Sequence, residues 1–255
     1  MDGVLAIDIG NTHIKLGLYR QGRWINEWRL STEIRRTADE YHLTMQGLMR
    51  EAGITHVERV VLASVVPLLT PIFVRVARHV SGSNPLEITP PGYGLAIDYP
   101  AEMLGADRFV NALAAWQLMK RPVVVVDVGT TATVDAVADA TFLGGAIAPG
   151  PHFLVQALAQ GTARLPQVMP AIEAWAIGKT TQQAIQAGVG HGFVGMVRAL
   201  IEETRSVIGA TAPIVMTGGW ATRIMPYLNL PVLVEPRLTL EGLRYAEEWH
   251  RRHQP

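Results

Sequence analysis

The sequence predicts an α/β fold with mixed sheets, built from two similar halves. Short, uninterrupted apolar runs alternate with longer stretches in which apolar residues recur every three to four positions. The first pattern is typical of buried strands, and the second of helices that pack on a sheet. The order of strand, turn, hairpin and then alternating helices and strands occurs twice, and the second copy starts near Arg121–Pro122. We therefore predict two tightly packed domains, residues 1–120 and 121–255, without a Ser/Gly-rich linker between them.

The first half begins with a buried strand and a hairpin. Val4 to Ile9 is a short apolar run, and the residues around Gly22 alternate as a hairpin would. Thr37, followed three residues later by Glu40, predicts a capping box for a helix that ends at Gly53. The later elements of this half are a strand in VERVVLASVVP, a helix in TPIFVRVARHV, a strand end in LEITP and a helix in RFVNALAAWQLM.

The second half repeats this order of elements. PVVVVDVGTT predicts a buried strand and turn, and ATVDAVADATFLGGAIAPG predicts a hairpin. Two helices follow, in HFLVQALAQGTARL and from Gln182 to Val207, before the strand APIVMTGG and the last helix LTLEGLRYAEEWHRR. The long helix carries one apolar stripe, formed by Ile185, Val189, Phe193, Val197, Leu200 and Ile201.

Composition and charge exclude several classes of protein. The chain has 255 residues, 49% of them hydrophobic, which is enough for a sizeable core. Lys plus Arg equals Asp plus Glu at 22 each, so no strong attraction to nucleic acid or anionic lipid is expected. The absence of cysteine rules out disulfides and cysteine-based sites. The start of the chain lacks a signal pattern, and no uninterrupted apolar run reaches the roughly 18 residues of a membrane span. We expect a cytoplasmic protein.

Two turns of the same kind follow buried strands in the two halves. They lie in AIDIGNTHIKLG, with Asp8 and Gly10, and in VVDVGTTATVDA, with Asp127. A glycine lets the backbone approach a ligand, and the N–H groups after it can donate to an anion. A single Asp-x-Gly is commonly only a turn, but two copies, each followed by threonine and a hairpin pattern, favour a site for a phosphate chain. The two carboxylates would hold the cation that neutralises it, as Mg²⁺ sites with substrate phosphates do.

A third glycine turn, Thr217–Gly219, follows the strand APIVM. Glycines at the carboxyl end of a strand allow a flat base or a ribose to lie against the backbone. The competing phosphate motif G-x-x-x-x-G-K-[ST] is missing, and no G-x-G-x-x-G follows a strand and opens a helix. The three turns together predict a nucleotide site.

Taken as a set, the motifs resemble type III pantothenate kinases, a family of the actin/hexokinase/Hsp70 superfamily, over essentially the full length of the chain. The matching segments are DIGNT at Asp8–Thr12, SVVP at Ser64–Pro67, GADR at Gly105–Arg108, DVGTT.T at Asp127–Thr133, GGAIAPG at Gly144–Gly150 and TGG at Thr217–Gly219. The resemblance implies two duplicated ribonuclease-H-like domains with mixed sheets flanked by helices and a nucleotide cleft between them. It also implies a homodimer that phosphorylates pantothenate with ATP to 4′-phosphopantothenate, the first step towards coenzyme A.

The same resemblance implies roles for individual residues. The catalytic base is Asp107, and the monovalent cation, K⁺ or NH₄⁺, lies at Asp127, with Mg²⁺ accompanying ATP. The residues implied to bind ATP are Asp8, Ile9, Gly10, Asn11, Thr12, His13, Ile14, Lys15, Thr130, Gly218 and Gly219. The residues implied to bind pantothenate are Tyr99, Gly105, Ala106, Asp107, Arg108 and Thr181.

Several of these residues have a purely structural alternative. Asp107 precedes RFVNALAAW and Thr181 precedes the long helix, so either can be a helix N-cap. Lys15 can reach a phosphate or lie solvated on its hairpin. Tyr99 stands one residue closer to the GADR motif than is usual in the family, and Tyr93 is a nearby competitor. Thr131 replaces the alanine of other family members, a change between small residues that affects only fine geometry.

Two other classes of function are weaker. A non-catalytic relative acting as an accessory factor for transcription would have no need of the intact GADR motif. A chaperone or filament protein of the same superfamily needs subdomains for which 255 residues leave no room.

Overall fold

A computed structural model of the chain describes residues 3–173 and 175–253. It divides the chain into two compact units: unit 1 comprises the residues up to Gln117 together with those from Leu238, and unit 2 comprises Leu118–Arg237. The strands are β1 Gly3–Ile9, β2 His13–Arg20, β3 Arg23–Ser31, β4 Arg59–Ser64, β5 Leu86–Glu87, β6 Ala96–Ile97, β7 Val123–Val128, β8 Thr131–Ala138, β9 Thr141–Pro149, β10 Ile214–Thr217 and β11 Val232–Val234. The helices are α1 Ala38–Glu51, α2 Thr70–Ser81, α3 Ala106–Met119, α4 Pro151–Gly161, α5 Thr181–Ile208, α6 Ala221–Leu228 and α7 Leu238–His253, with a 3₁₀ turn at Ala101–Met103.

Unit 1 contains a mixed sheet with the strand order β3-β2-β1-β4-β5. Strands β1, β2 and β3 pair antiparallel through tight turns, whereas β4 pairs parallel with β1 and β5 pairs parallel with β4. Every residue of β1 is buried, which explains why its residues other than Asp8 are apolar or glycine. One face of the sheet packs on α1 and α2 through a core that includes Ile7, Ile14, Tyr41, Leu62 and Phe73.

Unit 2 repeats this topology. The strands that belong to it follow the order β11-β10-β7-β8-β9. Strands β7, β8 and β9 are antiparallel, and β10 and β11 continue from β7 in parallel. The expected α/β fold with two mixed sheets flanked by helices is therefore confirmed, and both sheets have the same order and strand directions.

Helix α7 belongs to unit 1, whereas the sequence-based division placed it in residues 121–255. It contacts β1, β2 and β4. A β-carbon on Gly242 would collide with the Val110 carbonyl of α3, so the two helices cross in close contact. Trp24 of β3 donates from Nε1 to the Glu241 carboxylate at 2.6 Å. The observed units differ from the predicted domains because α7 packs on a sheet formed by the start of the chain. Local sequence patterns do not predict such a long-range contact.

Signals at the ends of helix α1 are confirmed. The Thr37 hydroxyl accepts from the Glu40 N–H, and the Glu40 carboxylate accepts from the Thr37 N–H at 2.7 Å. Gly53 follows the helix with φ +69°, a conformation that glycine adopts without strain. Four short elements were not anticipated: the 3₁₀ turn, β6, β11 and α6, the last of which contains Pro226 in its interior.

Helix α5 is long and apolar enough to cross a membrane by length and composition. Its stripe of Ile185, Val189, Phe193 and Val197 is buried within unit 2. Core helices pass the same test, and this burial pattern is the one that a core helix has.

Candidate active site

The first aspartate-glycine turn lies between β1 and β2 in unit 1. The Gly10 N–H donates to the His13 carbonyl at 3.1 Å, which closes a tight turn. The hydroxyl of Thr32, the residue that follows β3, donates to the Gly10 carbonyl at 2.6 Å and so stabilises the turn. Asn11 and Thr12 are exposed at its tip. The turn therefore presents polar side chains to solvent on a rigid support.

Asp8 and Lys15 lie opposite each other at the base of this turn. They are register partners, and the Lys15 Nζ lies 3.6 Å from the Asp8 Oδ2. The Lys15 side chain is 26% exposed, so it is not a freely solvated lysine. The pKa of His13 is lowered by partial burial first and then by the charges of Arg29 and Lys15. Lys15 therefore places a positive charge beside the Asp8 carboxylate.

The second aspartate-glycine turn follows β7 in unit 2. The Gly129 N–H donates to the Thr131 carbonyl at 2.9 Å, and the Gly150 N–H donates to the Thr130 carbonyl at 3.1 Å. A β-carbon on Gly150 would lie 2.5 Å from the Gly129 carbonyl oxygen. The last glycine of GGAIAPG thus lets β9 press directly on the backbone of the turn, a role that sequence reasoning did not assign to it.

The third glycine turn lies directly against the second. Strands β10 and β7 place Thr217 beside Asp127 in parallel register. Gly218 has φ +97°, and a β-carbon there would lie 2.5 Å from both the Asp127 Oδ1 and the Val128 carbonyl oxygen. The Trp220 N–H donates to the same Val128 carbonyl at 2.9 Å. Two of the three predicted turns are therefore joined around the Asp127 carboxylate.

Asp107 lies within the first turn of α3, and its interpretation as an N-cap is wrong. The helix begins at Ala106, and the Phe109 N–H donates to the Gly105 carbonyl at 3.1 Å, so Gly105 occupies the cap position. The Asp107 Oδ1 accepts from the Arg108 N–H at 2.7 Å. A β-carbon on Gly105 would lie 2.6 Å from that same oxygen. The glycine leaves room for a carboxylate that does not cap the helix.

The two candidate tyrosines differ in their surroundings. Tyr93 is 9% exposed, and its ring contacts those of Phe109 and Trp249 at centroid distances of 6.2 and 5.9 Å. Burial raises the pKa of Tyr93. Tyr99 is partly exposed, and the guanidinium carbon of the buried Arg108 lies 5.7 Å from its ring centroid. Tyr93 is therefore a core aromatic, and Tyr99 is the tyrosine next to the GADR motif.

Thr181 does not cap the long helix. The cap is Thr180, whose hydroxyl accepts from the Gln183 N–H at 3.2 Å. The Gln183 side chain in turn accepts from the Lys179 N–H at 2.9 Å. Thr181 is the first helical residue and is exposed. The Thr181 hydroxyl is therefore not needed to cap the N-terminus of α5.

The SVVP segment has a structural role in unit 1. The Ser64 hydroxyl accepts from the Val66 N–H at 3.1 Å and from the Thr70 hydroxyl at 2.9 Å. These bonds fix the turn from β4 to α2. Thr32, which braces the first turn, was not anticipated, because no local pattern marks a side chain that bonds to a carbonyl 22 residues earlier.

The described residues offer individual carboxylates, and no cluster of three or more ligands, for a metal ion. Within residues 3–173 and 175–253, no three His, Asp or Glu side chains cluster as a metal centre would require. Asp8 in unit 1 and Asp127 in unit 2 stand at the ends of their strands. Either carboxylate by itself fits Mg²⁺ held mainly by phosphate oxygens and water, and does not fit an all-protein cage.

A family model and individual relatives that match the sequence all carry the same family description. The family model described as type III pantothenate kinase matches residues 4–203. A type III pantothenate kinase from Moorella thermoacetica is 40% identical over 251 residues, which cover 96% of this chain and 98% of the relative. One from Thermomicrobium roseum is 40% identical over 255 residues, which cover 97% of this chain and 98% of the relative.

Solved structures resemble the fold at lower identity. An inorganic polyphosphate/ATP-glucomannokinase from Arthrobacter is 14% identical with a TM-score of 0.55, covering 99% of this chain and all of the other. An ROK hexokinase from Thermus thermophilus is also 14% identical, with a TM-score of 0.52 and the same coverage. A protein from Campylobacter jejuni assigned to a Baf family of transcriptional activators is 19% identical, with a TM-score of 0.63, covering 97% of this chain and 99% of the other. At these identities the likeness shows the fold alone.

Proposed function

The chain belongs to the type III pantothenate kinase family, and from this premise we propose that it transfers the γ-phosphoryl group of ATP to a hydroxyl of pantothenate, giving 4′-phosphopantothenate for coenzyme A biosynthesis. The hydroxyl oxygen forms a bond to the γ-phosphorus, the bond to the bridging oxygen breaks, and ADP leaves. The hydroxyl proton passes to a carboxylate. The observation that carries the assignment is the Asp107 carboxylate, which is fixed at the start of α3 without serving as its cap.

Asp107 is the catalytic base in this proposal. The Arg108 N–H orients one of its oxygens, and Gly105 leaves that oxygen room. The first turn of a helix is a position at which a negative side chain is favoured. A carboxylate can orient an alcohol and accept its proton as the bond to phosphorus forms.

Pantothenate contacts are proposed at Tyr99, Arg108 and Thr181, with the backbone of Gly105 and Ala106 beside them. The position of Tyr99 next to the Arg108 guanidinium supports it over the buried Tyr93. A guanidinium can pair with the carboxylate of the substrate. The exposure of Thr181, together with the cap role of Thr180, supports a hydroxyl that is available to substrate.

ATP is proposed to bind through its phosphates to the two aspartate-glycine turns. The residues would be 8–15 of unit 1 and Thr130 with Gly218 and Gly219 of unit 2. Asp8 and Asp127 would hold Mg²⁺ with the phosphates, and Asp127 would also hold K⁺ or NH₄⁺. The cations neutralise negative charge on the transferring group when they are bound. The place of Asp127 at the end of β7, where Gly218 comes close to its Oδ1, supports this assignment.

Replacement of Asp127 should remove the response to monovalent cations. In Asp127→Asn the ligand loses its charge with little change in shape, so turnover should fall and no longer rise along a KCl titration at constant ionic strength. Asp139→Asn, at an exposed turn between β8 and β9 of the same unit, is the matched control and should keep the wild-type response. Normal K⁺ activation of Asp127→Asn would refute this placement.

A homodimer is proposed as the active form. Supporting it, β9 exposes Leu143 and Ile147 four residues apart, and Ile147 is 63% exposed. Apolar side chains so placed are typical of a surface that a second copy covers. Sedimentation of the active enzyme should give twice the mass of the 27.8 kDa chain. A fully active monomer would rule the dimer requirement out.

We place the enzyme in the cytoplasm, without nucleic-acid or membrane partners. Equal numbers of acidic and basic residues and the absence of cysteine support this. The transcriptional alternative is not favoured, because it rests on likeness in fold at 19% identity.

A further inference from the structure

Two histidines lie against each other on the helices that cover the sheet of unit 1. His42 belongs to α1 and His79 to α2, and their ring centroids are 4.9 Å apart with the ring planes inclined by 58°. His79 is exposed, so the pair is accessible from solvent. The rings of His152 and His253 instead pack on tryptophans. The proposed phosphoryl transfer makes no use of the His42–His79 pair.

The His42 ring contains a buried polar atom without a partner. Its Nδ1 is buried, and among the described residues none forms a hydrogen bond with it. A buried polar atom without a partner costs stability, and most such atoms in native proteins are satisfied. An imidazole nitrogen that carries no proton is also a common metal ligand. A cation between the two rings would therefore give this nitrogen the partner that the described residues do not supply.

The separation of the two rings suits one shared metal ion. Zinc binds imidazole nitrogens at about 2.0–2.1 Å, with its ligands arranged as a tetrahedron. Two imidazoles bound to one such ion therefore have their centroids about 5 Å apart. The observed 4.9 Å is close to this value. Coordination would require the rings to turn about their side-chain torsions, without a movement of the helices.

The two helices hold the histidines on a rigid support. Tyr41, the residue before His42, packs on Phe73 of α2 at a centroid distance of 4.7 Å, and both rings are fully buried. On the same two helices Asp39 pairs with Arg75 at 3.2 Å, so a carboxylate offsets the guanidinium charge near an incoming cation. Ligands that are already in place lose little conformational freedom when they bind.

We propose that His42 and His79 form a site for Zn²⁺ that joins α1 to α2. The expected ion is zinc and not Mg²⁺, because imidazole suits transition metals whereas Mg²⁺ prefers oxygen ligands. Two protein ligands are fewer than the three or four that zinc centres usually have, so water fills the other positions and the ion exchanges with solvent. An ion bound to the folded chain stabilises it. This site is independent of the proposed function.

Calorimetric titration of the nucleotide-free protein with Zn²⁺ tests the site. His79→Gln removes one of the two protein ligands, so the Kd for Zn²⁺ should rise by about tenfold or more, since even the loss of a group behind a metal ligand commonly costs about 10- to 100-fold. His42→Gln should have the same effect. His56→Gln, at an exposed histidine of the same unit, is the matched control and should bind Zn²⁺ as the wild type does. With Mg²⁺ all four proteins should give the same titration.

Thermal unfolding provides a second measurement. At a Zn²⁺ concentration of about 100 times the Kd, the Tm of the wild type should rise by about 5–10 °C. His79→Gln should lose this rise and keep the wild-type Tm in the absence of metal, because the His79 side chain lies on the surface.

Three results would overturn the proposal. They are a wild-type protein that does not bind Zn²⁺, an unchanged Kd for Zn²⁺ in His79→Gln, and an equal loss of Zn²⁺ binding in His56→Gln, which would mean that any surface histidine suffices. If His42→Gln does not fold, His79→Gln decides the question by itself. Pantothenate turnover is measured with Mg²⁺ and without Zn²⁺, so its absence would refute the proposed function and leave the zinc site standing.

Discussion

Asp107→Asn is expected to lower kcat for pantothenate phosphorylation by about 10²- to 10⁴-fold, the range over which a positioned general base contributes. The amide has nearly the same shape and still accepts from the Arg108 N–H, but it cannot take the proton of the attacking hydroxyl. The measurement is ADP release coupled to NADH oxidation, with the Kd for ADP and the Tm recorded in parallel. Both of these should stay at their wild-type values.

The control for this variant is Asp39→Asn, in the first turn of α1 in the same unit. The Asp39 carboxylate is exposed and pairs with Arg75 at 3.2 Å, a surface pair of little energetic weight. Its turnover should match the wild type. Near-normal turnover of Asp107→Asn would refute the assignment of Asp107 as the catalytic base.

Gly218→Ala is expected to lower kcat/KM for ATP by about 10²-fold, the cost of misplacing a binding group by about 1 Å. The added β-carbon would lie 2.5 Å from the Asp127 Oδ1 and the Val128 carbonyl, so the carboxylate and the turn must move apart. The positive φ of +97° adds backbone strain. The free energy of unfolding should fall by about 1–3 kcal/mol, as overpacking of a tight site generally costs. Steady-state kinetics and denaturant titration measure the two effects.

The neighbouring glycine provides a matched control. At Gly219 nothing lies within 4 Å of an added β-carbon. Gly219→Ala should therefore keep the wild-type free energy of unfolding. An equal change in the free energy of unfolding of the two variants, or a normal kcat/KM for ATP in Gly218→Ala, would show that close contact at Asp127 does not organise the turn.

Local patterns in the sequence predicted the elements on which the site is built. The capping box at Thr37, the buried run of β1 and the hairpins of both halves need only neighbouring residues, and the structure contains them. The two halves could be predicted to share one order of elements because each contains the same succession of strand, turn and hairpin patterns.

Features set by long-range packing were missed or left open. Helix α7 joins unit 1 because its glycine fits against the Val110 carbonyl, a contact across more than a hundred residues of sequence. The approach of Gly218 to Asp127 likewise depends on the register of β10 with β7. The exact N-cap residues of α3 and α5 could not be predicted from the sequence either. The backbone geometry places these caps at Gly105 and Thr180, so Asp107 and Thr181 do not have that role.

The central claim is that this chain phosphorylates pantothenate. Purified protein is incubated with pantothenate, ATP, Mg²⁺ and K⁺, and the products are resolved by liquid chromatography with mass spectrometry. 4′-Phosphopantothenate should form in equal amount to the ADP released, and the rate at which both products form should be about 10²- to 10⁴-fold lower in Asp107→Asn. Unmodified pantothenate in a reaction of folded, ADP-binding wild-type protein would contradict it.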